Sequence, residues 1–185
     1  MPAFANRARP KAMSETSKTI LFVLRHAHAA KGLPGQADYD RALDERGHRE
    51  GETMRRAMEA RGLRPARVLC SGAARTRQTL GLVEGAFPCA ATEFTDEIYF
   101  GDERVYLRKA REAGDAPSLM LVGHNPMMAD LVALLAGRGD DEAMRHLAEG
   151  FPPGTLAILE FATPLSEIRE GSGVLTAQLE PRRLA

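Results

Sequence analysis

The chain has 185 residues, a length that suits one domain. Hydrophobic residues make up 44% and charged residues 27%, so the chain can bury a core and lacks the composition of a disordered protein. The 25 Lys and Arg residues balance 25 Asp and Glu residues. This neutrality argues against a dedicated nucleic-acid-binding protein, which usually carries a basic excess. Two cysteines, Cys70 and Cys89, form neither a disulfide framework nor a zinc ribbon.

The first 18 residues differ in character from the rest. They hold four bases and one acid, which are Arg7, Arg9, Lys11, Lys18 and Glu15. Without an apolar segment they do not form a secretory signal, and no apolar run in the chain is long enough to span a membrane. We expect residues 1–18 to be a disordered basic extension or the product of an upstream start codon, with Met13 as the true beginning; an organelle transit peptide is the alternative. We expect one domain over residues 19–185, in the reducing cytoplasm.

Short apolar segments alternate with helical segments along the rest of the chain. Thr19–Leu24 predicts a buried strand, and Asp44 and Gly62 predict the ends of a helix that runs to about Arg61. The following segments are predicted, in order, to be a strand Arg67–Cys70, a helix Ala73–Glu84, an extended or loop segment Phe94–Phe100, a helix Asp102–Ala113, a strand Ser118–Val122, helices Met127–Leu135 and Glu142–Leu147, and strands Thr155–Phe161 and Val174–Leu179. This alternation predicts a three-layer α/β/α sandwich with a mainly parallel central sheet.

Polar side chains follow three of these strands directly. The first strand is followed by Arg25, His26 and His28, the second by Ser71 and Arg75, and the third by His124 and Asn125. One such histidine alone is more often an ordinary capping residue. Ligands of parallel sheets bind beyond the carboxyl ends of the strands, so the combined pattern favours a functional site.

Arginine and histidine side chains at one place suit a phosphate group. Guanidinium groups donate charge-assisted hydrogen bonds to phosphate oxygens. Imidazole can itself be the attacking group in covalent catalysis. Neighbouring arginines disfavour protonation of that imidazole and therefore keep its lone pair available.

Three segments carry a more specific signal. Leu24–Ala27 has the sequence LRHA, Ser71–Thr79 has SGAARTRQT, and Val122–Pro126 has VGHNP. In this order they resemble the Arg-His-Gly, Ser-Pro-x-x-Arg-x-x-Gln-Thr and Gly-His segments of the histidine phosphatase (phosphoglycerate mutase-like) superfamily. Phe151–Ala157 resembles the Pro-Thr-Gly turn of the short SixA-type phosphohistidine phosphatases, and the similarity extends from about Thr19 to the end of the chain.

The resemblance implies a role for individual residues. His26 would be the nucleophile and would form a phosphohistidine intermediate, while Arg25, Arg75 and His124 would hold the phosphoryl group. It implies no metal and no cofactor. The substrate would be a phosphorylated molecule, with protein phosphohistidine as the first candidate and small phosphomonoesters as the alternative.

The chain departs from the family pattern at two positions and leaves the general acid open. Ala27 replaces a glycine, which adds one methyl group near the phosphate site, and Gly72 replaces a proline, which we expect to loosen the turn before Arg75. Glu97, rather than Asp96, matches the proton donor of the family, although a solvated loop carboxylate explains it equally well.

The remaining polar residues receive weaker assignments. His28 is expected at the rim of the phosphate site or on an exposed loop. Arg41 occupies a position where short-branch members often carry Arg, and it is expected to pair with Asp38 or Asp40. Solvated positions are expected for three residues, which are Arg77, His48 and His146.

Four other functions compete with this one. Cys70–Thr76 resembles the Cys-x5-Arg loop of cysteine phosphatases, but it has four intervening residues where that loop needs five. His26 and His28 with His124 suggest a metallohydrolase, although no carboxylate completes the ligand set. A binding module without catalysis could use the same phosphate site, and Ala27 favours it. A mutase is disfavoured because its relatives usually carry longer insertions.

Overall fold

A seven-stranded sheet forms the centre of the part of the chain that the computed structural model describes, residues 18–87 and 91–184. Expectations for residues 1–17 and Cys89 lie outside these ranges. The strands are β1 (Thr19–Arg25), β2 (Arg67–Ser71), β3 (Ala91–Thr95), β4 (Ser118–Gly123), β5 (Ala136–Gly139), β6 (Leu156–Phe161) and β7 (Gly173–Leu179). Their order across the sheet is β3-β2-β4-β1-β6-β7-β5.

The sheet is mainly parallel, as predicted. β1 pairs in parallel with β4, β4 with β2, and β2 with β3, while β6 runs antiparallel to both β1 and β7. β5 joins the far edge in parallel with β7. Because β2, β4 and β1 are parallel neighbours, their carboxyl ends lie beside one another at the same end of the sheet.

The helices are α1 (Glu45–Arg61), α2 (Ala74–Val83), α3 (Glu97–Phe100), α4 (Glu103–Glu112), α5 (Met127–Leu135), α6 (Asp141–Glu149) and α7 (Pro181–Leu184). The predicted ends of α1 are confirmed, because the Asp44 side chain accepts a hydrogen bond from the Gly47 N–H, and Gly62 ends the helix with a φ of 63°. The segment Phe94–Phe100, expected to be extended or loop, contains the end of β3 and the short helix α3.

Helices cover both faces of the sheet. Leu21 and Val23 of β1 pack with buried residues of α4, α5 and α6, while Phe22 and Leu24 pack with buried residues of α1 and α2. This alternation along one strand buries both faces and confirms the three-layer prediction. No helix in the described ranges is long and apolar enough to cross a membrane.

The expectation that His146 is solvated is wrong. Its residue exposure is 7%, and Ala143, three residues earlier on α6, is also buried. Residues three apart share one face of a helix, so His146 lies on the face of α6 that packs inward. One polar neighbour, Glu142, lies on the same side of the helix, with its carboxylate 3.8 Å from His146 Nε2, but is itself exposed. The same expectation for His48 is confirmed, since it is exposed.

Gly47 allows the first turn of α1 to approach the residues that follow β1. A Cβ added to Gly47 would lie 2.0 Å from the backbone oxygen of His28, whereas a Cβ on Gly81 of α2 would meet nothing within 4 Å. We expect Gly47→Ala to lower the free energy of unfolding by about 1–3 kcal/mol through overpacking. The matched change Gly81→Ala should raise it by up to about 1 kcal/mol. Urea unfolding of both variants tests this pair, and an unchanged stability of Gly47→Ala would contradict the close approach.

Candidate active site

His26 follows the last residue of β1 and has its ring fixed by the backbone. Its N–H donates to the Gly123 carbonyl at 3.0 Å, which ties it to the end of β4. Its ring Nδ1 lies 2.7 Å from the carbonyl oxygen of Ala27. A carbonyl can only accept, so Nδ1 carries the proton and Nε2 keeps a lone pair.

The His26 ring is held neutral. Burial, and beyond it the charges of Arg75, Arg25 and Arg41, lower the pKa of His26 from 6.5 to about 4, against an opposing effect of the Ala27 carbonyl. At neutral pH the imidazole therefore has a free lone pair within a positive field. This is the state that a nucleophilic imidazole requires.

His124 comes from the end of β4 and lies beside His26. The two ring centroids are 5.3 Å apart, and His124 Nε2 is 2.8 Å from the Ser71 hydroxyl at the end of β2. Burial, followed by the influence of His26 and of Arg75, lowers the pKa of His124 to about 3. His124 is thus a neutral ring that can take part in hydrogen bonds to a ligand.

Arg25 is fixed by the segment that precedes β6. Its Nη1 donates to the Phe151 carbonyl at 2.6 Å, and the Asn125 side chain donates to the same oxygen at 3.1 Å. Burial lowers the pKa of Arg25, and the charge of Glu50 opposes this effect. Through this backbone oxygen, Phe151 connects the site to the turn that follows it, residues 152–154.

Arg75 lies in the first turn of α2 with a residue exposure of 7%. The start of this helix is fixed to β2, because the Thr76 hydroxyl donates to the Ser71 carbonyl at 2.8 Å. Thr79 then links α2 to the residue after His26. Its hydroxyl donates to the Arg75 carbonyl at 2.7 Å and accepts the Ala27 N–H at 3.0 Å.

Several buried polar atoms of the site have no hydrogen-bond partner among the described residues. They include Arg25 Nε, His124 Nδ1 and Asn125 Oδ1, all on residues at the carboxyl ends of β1 and β4. Buried polar atoms are nearly always paired, so a concentration of exceptions favours a ligand-binding role.

The structure brings together four of the residues singled out in the sequence, Arg25, His26, Arg75 and His124. An anion with several oxygens matches this set of groups.

Glu97 lies in a different electrostatic setting. Its carboxylate is 2.6 Å from Lys109 Nζ and 2.7 Å from Arg108 Nη2. Lys109 foremost, and Arg108 with it, hold the pKa of Glu97 below its usual value. The carboxyl is ionised at neutral pH and has no proton to donate, so this arrangement does not favour Glu97 as a general acid.

The structure also gives the contacts of three further residues named in the sequence, which are His28, Arg41 and Arg77. His28 Nδ1 is 2.7 Å from the Asp44 carboxylate that caps α1, which binds His28 to the start of that helix. Arg41 pairs with Asp38 at 2.7 Å, as predicted. Arg77 is exposed, as predicted, and its guanidinium lies 4.9 Å from the centre of the Phe94 ring.

Gly72 makes room for a contact that sequence reasoning missed. The Tyr39 hydroxyl donates to Asp96 Oδ1 at 2.6 Å, directly over Gly72. A Cβ at Gly72 would lie 2.1 Å from that hydroxyl and 2.6 Å from Asp96 Oδ1. The sequence predicts that Gly72 loosens the turn; the structure shows that the missing side chain leaves the space for the contact between Tyr39 and Asp96.

Asp38 and Tyr99 also belong to the site, although no motif identified them in that role. Tyr99 stands edge-on to His124, with ring centroids 5.2 Å apart, and its hydroxyl donates to Asp38 at 2.9 Å. Asp38 in turn accepts from Arg75. The sequence signal was the acidic pair around Tyr39, which was interpreted only as a partner for Arg41.

Cys70 does not have the properties of a nucleophile. It is fully buried, its thiol donates to the Ser71 carbonyl, and burial raises its pKa to about 12. A thiol in this state does not ionise at neutral pH. In the part of the chain that the structure describes, no group of three or more His, Cys, Asp or Glu residues is arranged to hold a metal ion.

Comparison with known proteins gives a consistent result. No protein-family model matches the chain. An uncharacterized protein of Mycobacterium tuberculosis is 31% identical over 159 residues, which cover 84% of this chain and 99% of that protein. A structure from Agrobacterium tumefaciens, assigned as phosphohistidine phosphatase SixA, is 34% identical with a TM-score of 0.73 and covers 87% of this chain and 97% of its own. A second structure with this assignment, from Nakamurella, is 27% identical with a TM-score of 0.74 and covers 89% of this chain and 96% of its own.

The low pKa of His26 has a consequence for stability. In the unfolded chain this ring binds a proton near pH 6.5, whereas in the folded protein it does so only near pH 4. The stabilisation that the neutral His26 ring contributes to the free energy of unfolding is therefore complete above about pH 6.5 and is lost as the pH falls towards 4. We expect the free energy of unfolding to fall between pH 7 and pH 5, and to fall less in His26→Ala. Urea unfolding at both pH values measures this, and an equal fall in the two proteins would contradict the assignment.

Proposed function

We propose that this chain, which belongs to the histidine phosphatase superfamily in its short SixA-type branch, hydrolyses a phosphoryl group through a covalent intermediate on His26 Nε2. The observation that carries this proposal is the hydrogen bond from His26 Nδ1 to the Ala27 carbonyl. It assigns the ring proton to Nδ1, so the lone pair belongs to the nitrogen that remains free.

The reaction has two steps. In the first, the Nε2 lone pair of His26 forms a bond to phosphorus, and the bond from phosphorus to the leaving group breaks with its electron pair on the leaving group. In the second, a water oxygen forms a bond to phosphorus and the bond from phosphorus to Nε2 breaks. Inorganic phosphate leaves, a water proton goes to phosphate or solvent, and His26 regains its lone pair.

The cationic residues stabilise the charge that develops on the phosphoryl oxygens. Arg25 and Arg75 would donate from two different elements, the end of β1 and the start of α2. His124 would add a ring hydrogen bond from the end of β4. Donors fixed by folding cost no reorganisation when the charge develops, which is the main source of catalysis of this kind.

Protein phosphohistidine is the substrate that these groups support best. An alcohol phosphate leaves as an alkoxide and needs a proton donor, whereas Glu97 is ionised and paired with Lys109. Phosphohistidine leaves as an imidazole, which can already carry a proton when the phosphorus–nitrogen bond breaks. The two SixA assignments among the similar structures agree with this substrate. Small phosphomonoesters are the second candidate.

Ala27 does not argue for a module without catalysis. Its side chain is fully buried, its N–H is bonded to Thr79, and its carbonyl orients His26. The backbone groups that serve the site are therefore in use with alanine at this position.

Trapping of the intermediate tests the nucleophile directly. After a brief reaction with a ³²P-labelled phosphohistidine protein and a quench in alkali, we expect acid-labile label on the wild-type chain and none on His26→Ala. Cys70→Ala should retain label, because the thiol is buried and protonated. Label on His26→Ala, or its loss in Cys70→Ala with the fold intact, would overturn the proposal. Turnover of small phosphomonoesters by the same proteins separates the two substrate candidates.

Two arginines of α2 provide a matched pair for the role of Arg75. We expect Arg75→Ala to lower kcat by roughly 10²–10³-fold, the loss typical of one donor to a developing oxyanion. Arg77→Ala should leave kcat unchanged, because that side chain lies on the surface over Phe94. Steady-state kinetics measure both variants. A loss below tenfold in Arg75→Ala would contradict its role.

A further inference from the structure

A turn outside the three motifs holds the guanidinium of Arg75 by two atoms. Arg75 Nη1 donates to the backbone oxygen of Asp38 at 2.6 Å, and Nη2 donates to the Asp38 carboxylate at 2.9 Å. Asp38 begins a short 3₁₀ turn, Asp38–Asp40, that lies before α1. One residue thus accepts from both terminal nitrogens of the same arginine.

These two bonds define the orientation of Arg75. The guanidinium is planar and carries five N–H groups, two on each terminal nitrogen and one on Nε. Asp38 accepts one hydrogen from each terminal nitrogen, which fixes the plane of the group. Neither bond uses the N–H of Nε or the second hydrogen of each terminal nitrogen. An arginine held at its outer end can donate to a phosphoryl group through its other hydrogens, with little freedom to lose on binding.

Asp38 is itself anchored from several directions. Arg41 Nη1 donates to its Oδ1 at 2.7 Å, and the Tyr99 hydroxyl donates to its Oδ2 at 2.9 Å. The next residue, Tyr39, is bonded to Asp96 over Gly72. The hydrogen bond from Arg41 foremost, with those from Tyr99 and Arg75, holds the pKa of Asp38 at about 2, so the group is a carboxylate at any pH at which the protein would work.

We propose that Asp38 is the positioning residue for Arg75 and sets the orientation in which that arginine binds the phosphoryl group. The inference rests on the proposed function only for its effect on turnover; its effect on anion binding stands independently. The opposite role, in which the carboxylate competes with phosphate for Arg75, is less well supported. Arg41 balances the charge of Asp38, and the bonds to Asp38 take only two of the five guanidinium hydrogens of Arg75.

Three variants at two aspartates test this role. Asp38→Ala removes the carboxylate, and Asp38→Asn keeps an oxygen that can accept from Arg75. Asp40→Asn is the control, because Asp40 lies in the same turn and the hydrogen bonds from Arg75 to this turn both go to Asp38. The measurements are the dissociation constant of tungstate, a phosphate analogue, by calorimetry, and kcat and KM on phosphohistidine protein. Thermal unfolding verifies that each variant is folded.

We expect Asp38→Ala to weaken tungstate binding about tenfold and to lower kcat at least tenfold. Asp38→Asn should recover part of both, and Asp40→Asn should match the wild type. Tighter tungstate binding or a higher kcat in Asp38→Ala would show a competing carboxylate and overturn the proposal. An unchanged tungstate affinity in folded Asp38→Ala would also overturn it. Failure of the wild type to form phosphohistidine would refute the proposed function, while the tungstate result would still decide the role of Asp38.

Discussion

The hydrogen bond between His26 Nδ1 and the Ala27 carbonyl is the constraint on which the chemistry of the site depends. It selects one ring tautomer, and burial together with three arginines keeps that ring neutral. The bond is only as rigid as the backbone around it. That backbone is held on one side by the bond from the His26 N–H to Gly123, and on the other by the bond from the Ala27 N–H to Thr79.

The parallel order β2-β4-β1 explains why residues distant in the sequence meet at one point. The carboxyl ends of these strands lie at the same end of the sheet and place polar residues there. These residues are Ser71 from β2, His124 after β4, and Arg25 and His26 at β1. Arg75 arrives one helical turn after β2 because the Thr76 hydroxyl fixes the start of α2 against the Ser71 carbonyl. Hydrophobic packing on both faces of the sheet therefore determines where these polar groups lie.

The sequence was sufficient for the side chains that directly follow apolar strands, and insufficient for backbone atoms and for side chains outside the motifs. His26, Arg75 and His124 follow apolar strands, so their convergence could be predicted. The Phe151 carbonyl that binds Arg25 has no signature, because every residue has that oxygen. Asp38 and Tyr99 carry no such signal, because their contacts join elements that are distant in the sequence, and no local periodicity reports such contacts. His146 was misplaced since polar neighbours along the chain concealed its position on the inner face of α6.

The ionisation state of the carboxyl groups near the site bears on which leaving group the site could assist. Asp38 is held ionised mainly by Arg41, and Glu97 is held ionised mainly by Lys109, so these two carboxyls have no proton to give at neutral pH. Both histidines are neutral at neutral pH, and we propose that one of them, His26, is the nucleophile. A site of this kind can stabilise negative charge on phosphoryl oxygens, but it gives little help to an alkoxide. In the proposed reaction the leaving group would then bring its own proton, and the imidazole of phosphohistidine is a group that can do so at neutral pH.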